Sequence, residues 1–340
     1  YEGKTPRDNN LAIGGDAKIG VTPGLNLDLT VNPDFSQVEV DRQQTNISRF
    51  ELFFPEKRQF FLENNDLFSN YGGETSRPFF SRRIGITQDT ATGQNIQNTI
   101  HAGARLSGKL DKNWRIGLLT MQAAADDKNG LPSINYGMTV LQRKVMTNST
   151  ISAFMVNKEA VFNDSEKDYD VSLDHYNRVI GSEFNYRSIN GRFRSTAYYH
   201  RSFTEQDTLN KEFTSGILVN YLTRRFSILT QFNEVGKNYT AEVGFVPRLD
   251  FKRSFTQAKL NFYPQTNGIS SHGATVEYEQ IWNSDRSRTD QMASIGYDIN
   301  FRNLARFSLM GTIDYTFLLA NFDPARKSNG VFLAAGTDYT

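Results

Sequence analysis

Apolar and polar residues alternate at every second position through long stretches of this sequence, most regularly between residues 290 and 318. The apolar positions of two such runs are Ala293, Ile295, Tyr297, Ile299 and Phe301, then Phe307, Leu309, Ile313, Tyr315 and Phe317. A period of two predicts β-strands with one apolar and one polar face. The polar positions carry ionised groups in strand after strand, such as Asp298 and Asp314.

The length and polarity of these runs predict the fold class. Soluble β-sandwiches also alternate, but their strands are usually shorter and their turns more closely spaced. Alternating runs of roughly ten residues or more fit strands with lipid on one side and water on the other. We therefore predict an all-β fold, a large antiparallel transmembrane β-barrel of roughly 16 or more strands that is incomplete in this chain.

The composition is compatible with such a barrel. Only 38% of the 340 residues are hydrophobic, and the mean hydropathy of -0.53 fits strands in which lumen residues dilute the apolar ones. Aromatic residues, at 13%, are plentiful enough for interfacial girdles. The net charge of +1 argues against a nucleic-acid partner. The sequence contains no cysteine, which excludes disulfides and thiolate sites.

The alternation divides the chain into three parts. Residues 1–32 are predicted to form the first barrel strands, and 77–340 the remaining strands with their outer loops. Between them, 33–76 lack the pattern for about forty residues, far longer than an ordinary loop. Later strands are predicted at 77–87, 99–110, 113–125, 135–146, 150–160, 175–188, 191–203, 213–223, 226–235, 239–246, 254–263, 270–282, 290–301, 305–318 and 331–340. The total is about seventeen, an odd number that does not close a typical bacterial barrel, so we expect a fragment.

Turn lengths predict where the middle part runs. Short connections such as 111–113 are typical of the periplasmic side of a barrel, and long polar ones of the outside. If 22–24 is also periplasmic and 77–87 is a strand, then 33–76 must pass from outside to inside. Lipid would not tolerate its many charges, which predicts a path through the lumen as an internal plug. A large outer loop is the alternative.

The predicted plug contains two Phe-rich clusters in which aromatic and charged residues are interleaved, 50–58 and 60–66. One interpretation is a constriction that presents its charges to a solute. The other is a small folded core, held by Phe packing and by salt bridges to the barrel wall. The candidate lumen and plug residues are Arg49, Glu51, Phe53, Phe54, Glu56, Lys57, Arg58, Phe60, Phe61 and Glu63.

Arg77, Arg82 and Arg83 form a candidate basic cluster at the barrel entrance. Guanidinium groups bind anionic substrate groups or lipid headgroups bidentately. Pairing with glutamates of the plug is the alternative, and the one we favour.

Little in the sequence supports catalysis, and we predict no enzyme activity, no metal site and no cofactor. The four histidines are scattered, at His101, His175, His200 and His272, without a His-Glu-x-x-His motif. A Gly-x-Ser-x-Gly elbow and a phosphate-cradling glycine loop are also absent from the sequence.

Four stretches of the sequence resemble a known family. They are 32–41, 54–64, Phe79-Phe80-Ser81-Arg82-Arg83-Ile84-Gly85 and Glu242-Val243-Gly244-Phe245-Val246-Pro247-Arg248. In these, and over most of 14–248, the chain resembles Bacteroidota outer-membrane proteins of the DUF5916 type. Such proteins typically carry a carbohydrate-binding family 9-like domain before a large C-terminal barrel. The resemblance implies a barrel in the bacterial outer membrane, but this sequence lacks the sugar-binding domain and the family offers no activity to transfer.

Two hypotheses of function follow. The first is an outer-membrane barrel that passes or binds a solute, with a glycan fragment as the candidate and residues 33–76 occluding the lumen. The second is a structural or accessory barrel subunit of an outer-membrane complex, such as secretion or barrel-assembly machinery. A surface hydrolase is a weaker third idea. Expected partners are outer-membrane lipid, a solute or glycan, and other outer-membrane proteins or lipoproteins, but no nucleic acid.

Overall fold

The computed structural model describes residues 13–33, 46, 48–88, 95–126, 132–161, 175–205, 210–265, 268–285, 287–324 and 332–340. The strands are β1 (Gly15–Thr22), β2 (Leu25–Val31), β3 (Ile86–Gln88), β4 (Asn95–Gln97), β5 (Ile100–Lys109), β6 (Trp114–Ala123), β7 (Ser133–Val145), β8 (Ser149–Val161), β9 (Tyr176–Arg187), β10 (Phe193–Thr204), β11 (Phe213–Leu222), β12 (Phe226–Val235), β13 (Phe251–Phe262), β14 (Ile269–Trp282), β15 (Arg288–Phe301), β16 (Arg306–Phe317) and β17 (Asp338–Tyr339). The helical elements are α1 (Gln59–Leu62) and two 3-10 turns, Asn65–Leu67 and Ser81–Arg83. Over these ranges, no helix is both long and apolar enough to cross a membrane.

Within the described ranges, a single antiparallel sheet of 15 strands contains every strand except β3 and β4, which pair with each other. Neighbours in this sheet are also neighbours in the chain, apart from the step from β2 to β5. The predicted all-β, antiparallel architecture is therefore confirmed. In the described part of the chain β1 pairs with β2 alone and β17 with β16 alone, so this sheet is not closed.

The two faces of the sheet differ in what lies against them, because successive side chains of a strand point to opposite sides. The face that we call the covered face carries Arg105, Leu119, Val140, Phe154 and His200, all of them buried. The face that we call the open face carries Ile151, Ile180, Tyr199, Ile217 and Ile295, which are 46% to 64% exposed.

Residues 48–85, which we call the covering segment, pack on the covered face. Its side chains Phe61, Leu67 and Phe68 form one hydrophobic core with sheet residues such as Met121 and Val140. Complete burial of a side chain of this size stabilises a fold by roughly 1.5–3 kcal/mol. The core therefore holds the covering segment on the sheet.

Contacts of the covering segment with both β1 and β15 require the sheet to curve. Glu63 pairs with Lys18 of β1, and Arg49 pairs with Asp290 of β15. In a flat sheet these two strands would lie about 58 Å apart, at about 4.8 Å per strand. The stretch from Arg49 to Glu63 spans at most about 50 Å even when fully extended, and the turn of α1 within it shortens that reach.

Connections differ in length between the two ends of the sheet. At what we call the short-turn end they are 23–24, 110–113, 146–148, 188–192, 223–225, 263–268 and 302–305. At the opposite, long-loop end they are 32–99, 124–132, 162–175, 205–212, 236–250, 283–287 and 318–337. The predicted alternation of short and long connections holds up to β13. Beyond it the rule blurs, since 283–287 at the long-loop end is one residue shorter than 263–268 at the short-turn end.

Two of the predicted strands are wrong, and a third is much shorter than predicted. Residues 77–87 contain the 3-10 turn Ser81–Arg83 and the start of β3, outside the large sheet. Residues 239–246 belong to the 236–250 loop, and of 331–340 only Asp338–Tyr339 pairs with β16. The other fourteen predicted strands correspond to β1, β2 and the strands from β5 to β16.

The alternation at 239–246 has a different cause from that of a membrane strand. Tyr239, Val243 and Phe245 are buried, and Phe245 exchanges two backbone hydrogen bonds with Arg77 of the covering segment, 3.0 and 2.9 Å long. A bond of 2.6 Å from Phe80 N to the carbonyl of Val243 adds to them. Apolar residues at every second position pack here against another loop, a contact that sequence periodicity does not distinguish from lipid.

The loss of strand 77–87 also changes the predicted path of the chain. Val31 of β2 pairs with Ala102 of β5, so the chain leaves and re-enters the sheet at the same, long-loop end. The predicted crossing of 33–76 from one side of the barrel to the other is therefore wrong. The described residues of that stretch nevertheless lie on the covered face. Residues 34–45 and 47 of the predicted plug lie outside the described ranges.

Candidate functional site: the covered face and its covering segment

Polar contacts fix the deepest part of the covering segment, residues 60–66, near the short-turn end. Lys18 Nζ lies 2.5 Å from Glu63 Oε2, and the Asn64 amide donates to Ser107 Oγ at 3.0 Å. The bond from Lys18 holds the pKa of the Glu63 carboxyl below its usual range. Asp66 pairs with Arg115 of β6 at 2.7 Å. This part of the segment is thus joined to β1, β5 and β6.

Arg105 of β5 is the most deeply buried cation of these contacts, with 2% of its side chain exposed. Its guanidinium donates twice to Asp28 Oδ2, at 2.7 and 3.1 Å. It also donates to the carbonyl of Glu63 at 2.7 Å and to that of Phe60. A buried ion pair offsets its desolvation only when further hydrogen bonds complete it. The turn of α1 supplies those bonds, so this arginine links sheet and segment.

Glu56 and Arg58 tie two parts of the covering segment to each other. Arg58 Nη2 lies 2.7 Å from Glu56 Oε2 and donates to the carbonyl of Ser81 at 2.6 Å, and Nη1 donates to that of Ile84 at 2.8 Å. The Ser81 hydroxyl donates to Glu56 at 2.5 Å. Burial of Glu56 opposes its ionisation. The hydrogen bonds and charge of Arg58 and the hydrogen bond from Ser81 outweigh burial, so the pKa of this carboxyl is lowered. Residues 56–58 and 81–84 therefore act as one unit.

The middle of the covering segment rests on β8, β9 and β10. The N–H of Gly72 donates to Glu183 Oε2 at 3.1 Å, and Gly72 has a φ of +76° that favours glycine. His200 lies between Tyr198 and Phe154, with both ring centroids 4.9 Å away. Neither ring nitrogen of His200 has a hydrogen-bond partner among the described residues. This histidine is a packing element of the wall beneath the segment.

Asp290 of β15 receives two arginines at the long-loop end. Arg49 of the covering segment lies 2.5 Å from Oδ1, and Arg248 of the 236–250 loop lies 2.6 Å from Oδ2. Arg248 also donates to Thr289 Oγ1 at 2.6 Å. One carboxylate thus joins β15, the covering segment and the loop.

The 236–250 loop covers the same face as the covering segment. Glu242 pairs with Lys158 of β8, and its N–H donates to Asn177 Oδ1 at 3.0 Å. The Asn177 amide donates to the carbonyl of Thr240 at 2.9 Å. A Cβ on Gly244 would lie 2.4 Å from the carbonyl oxygen of Arg77, so the approach of loop and segment requires glycine.

The candidate entrance cluster is engaged within the covering segment. Arg83 pairs with Glu51 at 2.5 Å and donates to the carbonyl of Gly244 at 3.2 Å. The Arg77 guanidinium lies 4.3 Å from the ring of Phe53. Arg82 is buried and donates to the carbonyl of Pro55 at 3.0 Å. Of the pairings with glutamates of 33–76 that we favour, the structure contains the one between Arg83 and Glu51.

The remaining candidate residues are mostly packing groups. The ring of Phe60 lies 5.2 Å from that of Phe61 in a T-shaped contact, and the ring of Phe54 lies 5.7 Å from the Arg82 guanidinium. Lys57 is exposed. Together with the buried Phe61, these contacts favour the small folded core over the constriction.

Sequence reasoning missed two parts of the site, the Asp290 junction and the 236–250 loop. The junction joins residues far apart in the chain, and no local pattern marks it. The loop did carry a signal, since 242–248 is one of the stretches of family resemblance. Among the residues that the structure describes, no group of three or more His, Asp and Glu side chains could hold a metal ion.

Comparison with known proteins gives one result. The family model described as "Domain of unknown function (DUF5916)" matches residues 1–337. No curated protein and no solved structure matches the chain. The resemblance found in the sequence is confirmed by a match over nearly the whole chain, and the protein belongs to the DUF5916 family.

Proposed function

We propose that this chain forms the wall of a bacterial outer-membrane β-barrel, and that the covering segment is a plug in its interior. The observation that carries this proposal is the apolar open face of the sheet, beside buried ionic groups on the covered face. The covered face holds buried ionic groups such as Arg105 and Glu183, whereas the open face exposes Ile180, Ile217 and Ile295. A soluble sheet exposes its polar face. Strands with the opposite arrangement are stable when lipid covers the apolar face.

Aromatic residues on the open face support a membrane of ordinary thickness. One group, at the short-turn end, consists of Trp114, Tyr186, Phe193, Tyr221, Phe226 and Phe262. Another, at the long-loop end, consists of Tyr176, Phe203, Phe213, Trp282 and Phe317. Tyr176 and Tyr186 of β9 are separated by ten positions, about 33 Å along a strand and about 25 Å across the membrane at a tilt of about 40°. This is the height of the apolar band between the aromatic girdles of outer-membrane barrels.

The barrel would pass or bind a solute, for which a glycan fragment is the candidate, with the plug occluding the lumen. The aromatic and charged side chains interleaved in the plug are suited to a polar solute with apolar faces. The tight anchoring of the segment favours a second candidate, an accessory subunit of an outer-membrane complex with a permanently filled lumen. Conductance in a planar bilayer separates the two functions, because a plug that opens gives current and a permanent filling does not.

Substitution of one open-face residue tests the membrane assignment. In a soluble sheet, Ile217→Arg at a 47% exposed position would change stability by at most about 0.5 kcal/mol. In a lipid-facing strand the same change costs about 2–4 kcal/mol near the midplane. We expect folded protein to be lost from the outer-membrane fraction and the free energy of unfolding in lipid vesicles to fall by that amount.

Ile189→Arg provides the matched control, because Ile189 is 83% exposed in the 188–192 turn, outside the proposed membrane region. It should be nearly neutral. Equal, near-neutral effects of the two substitutions would refute the membrane assignment.

A further inference from the structure

Basic residues collect at the short-turn end between β5 and β10. Lys109, Lys112, Arg115 and Lys144 line a half-open cleft of about 320 Å³, together with Gln142 and Ser149. Arg115 pairs with Asp66 of the covering segment. No carboxylate among the described residues lies within ion-pair distance of the three lysines. The cleft thus carries an excess of positive charge.

Asp111 is the acidic side chain of the cleft, but its oxygen is engaged by the turn. Asp111 Oδ1 accepts the N–H groups of Asn113 at 2.6 Å and Trp114 at 2.8 Å. These two bonds hold the pKa of the carboxyl below its usual range. The carboxylate therefore shapes the 110–113 turn and does not neutralise the lysines by direct pairing.

Two arginines extend the basic surface beside the cleft. Arg187 of β9 and Arg194 of β10 are direct register partners, and both are exposed. Like charges directly opposite each other destabilise a sheet, and no described carboxylate pairs with either one. The N–H of Arg187 donates to Ser149 Oγ at 3.2 Å, which joins this pair to the lining of the cleft.

The strand registers determine which side of the sheet these cations occupy. Lys109 pairs with Arg115, Lys144 pairs with Thr150, and Arg194 lies two positions from Thr196, the partner of Asn185. This places Lys109, Lys144 and Arg194 on the covered face, opposite the apolar open face. A headgroup of a surrounding bilayer would lie against the open face. The arrangement therefore favours a ligand that arrives through water.

We propose that this basic cleft binds a multivalent oxyanion group, of the phosphate type, on a water-soluble solute. Several cations around one small cleft suit a group with charge spread over several oxygens, and guanidinium groups bind such oxygens bidentately. The inference deepens the proposed function, and it rests on that function in requiring the covered face to be the water-filled side. The proposed solute is thus negatively charged and enters at the short-turn end.

Calorimetric titration of the detergent-solubilised protein with inorganic tripolyphosphate tests the proposal. We expect saturable binding at low salt. A hydrogen bond to a charged group contributes enough that each double variant, Lys109→Gln with Lys144→Gln or Arg187→Gln with Arg194→Gln, should weaken binding at least about tenfold. The control, Lys237→Gln with Lys252→Gln, removes two positive charges at the long-loop end and should leave binding unchanged.

The absence of saturable binding by the unaltered protein, or an equal loss in the control, would overturn the proposal. Saturable binding of short-chain phosphatidylglycerol, without binding of tripolyphosphate, would identify a lipid headgroup and would also overturn it. The outcome is separable from that of the membrane assignment, since Ile217 lies on the opposite face of the sheet. If Ile217→Arg proves neutral while tripolyphosphate still binds, the anion site is supported and the barrel is not.

Discussion

The covered face is built in two different ways in two halves of the same sheet. From β6 to β10 it carries apolar residues such as Leu119, Met121 and Val140, which are almost completely buried under the covering segment. From β13 to β16 it carries polar pairs instead, among them Gln257 with Glu277 at 2.5 Å. Some of those residues line a cleft of about 300 Å³. In both halves the open face is apolar. The residues on the covered face differ because the covering segment packs on one half and a cleft lies against the other.

Two ion pairs of the same length, one in each half, differ in how much they contribute to stability. Arg105 and Asp28 form a cross-strand ion pair, as do Arg306 and Asp298, and both pairs are 2.7 Å long. Only 2% of the Arg105 side chain is exposed, against 64% for Arg306. A buried pair is costly to break because the remaining charge stays buried, whereas water screens an exposed pair.

The largest expected difference comes from removing these two arginines. Arg105→Ala leaves Asp28 and two carbonyls of the covering segment unpaired, and should lower the free energy of unfolding by about 3–5 kcal/mol. Arg306→Ala should cost at most about 1 kcal/mol. Denaturant unfolding of the two variants under identical conditions measures both. Equal costs would show that the covering segment does not exclude water from Arg105.

A smaller difference is expected when a methyl group is added to a glycine in each half. A Cβ at Gly181 of β9 would lie 2.5 Å from both Phe154 and His200 ring atoms, whereas at Gly296 of β15 the nearest atom is 3.6 Å away. Overpacking should make Gly181→Ala destabilising by about 1–3 kcal/mol. Gly296→Ala should be near neutral. The midpoints of thermal unfolding compare the two, and a neutral Gly181→Ala would mean that the packing around His200 adapts.

Sequence reasoning was most successful where side chains alternate for a long distance without interruption. The runs at 290–301 and 305–318 predict β15 and β16 closely, because the two faces of a strand meet different surroundings and this imposes a strict period of two. The same reasoning failed at 239–246, where the period of two comes from packing against the covering segment. It also failed at 77–87, where the 3-10 turn Ser81–Arg83 and Gly85, with a φ of +81°, interrupt the strand.

The site was predictable in its location and less so in its partners. The covering segment overlaps 33–76, which the sequence marks by its missing alternation and its charges, and the Phe-rich clusters within it suggested a small folded core as one of two interpretations. The junction at Asp290 was not predictable, since Arg49 and Arg248 meet it only once the sheet has curved. The pairing of Glu56 with Arg58 was not predicted either, since the expected partners of the glutamates in 33–76 were Arg77, Arg82 and Arg83.

The smallest expected effect is a loss of stability of the covering segment in acid. It should be confined to the half of the sheet that this segment covers. The pKa of Glu56 is lower in the folded protein than in the unfolded chain. Its contribution to stability is therefore complete above the unfolded value of about 4.3 and is lost as the pH falls through the lower, folded value. Hydrogen exchange at the Ile84 amide, which donates to Ser81, should accelerate in that acid range relative to the base-line pH trend, while amides of β15 follow the trend.

Glu56→Gln tests whether this carboxylate is the group responsible. The substitution removes the charge that Arg58 and Ser81 bind, so the Ile84 amide should be less protected at neutral pH and should show no extra loss in acid. Retention of the acid transition in the variant would assign proton uptake to another group. An equal acid response of the β15 amides would show that the two halves open together, because the covering segment would then be coupled to the whole sheet through Asp290 and not only to the strands beneath it.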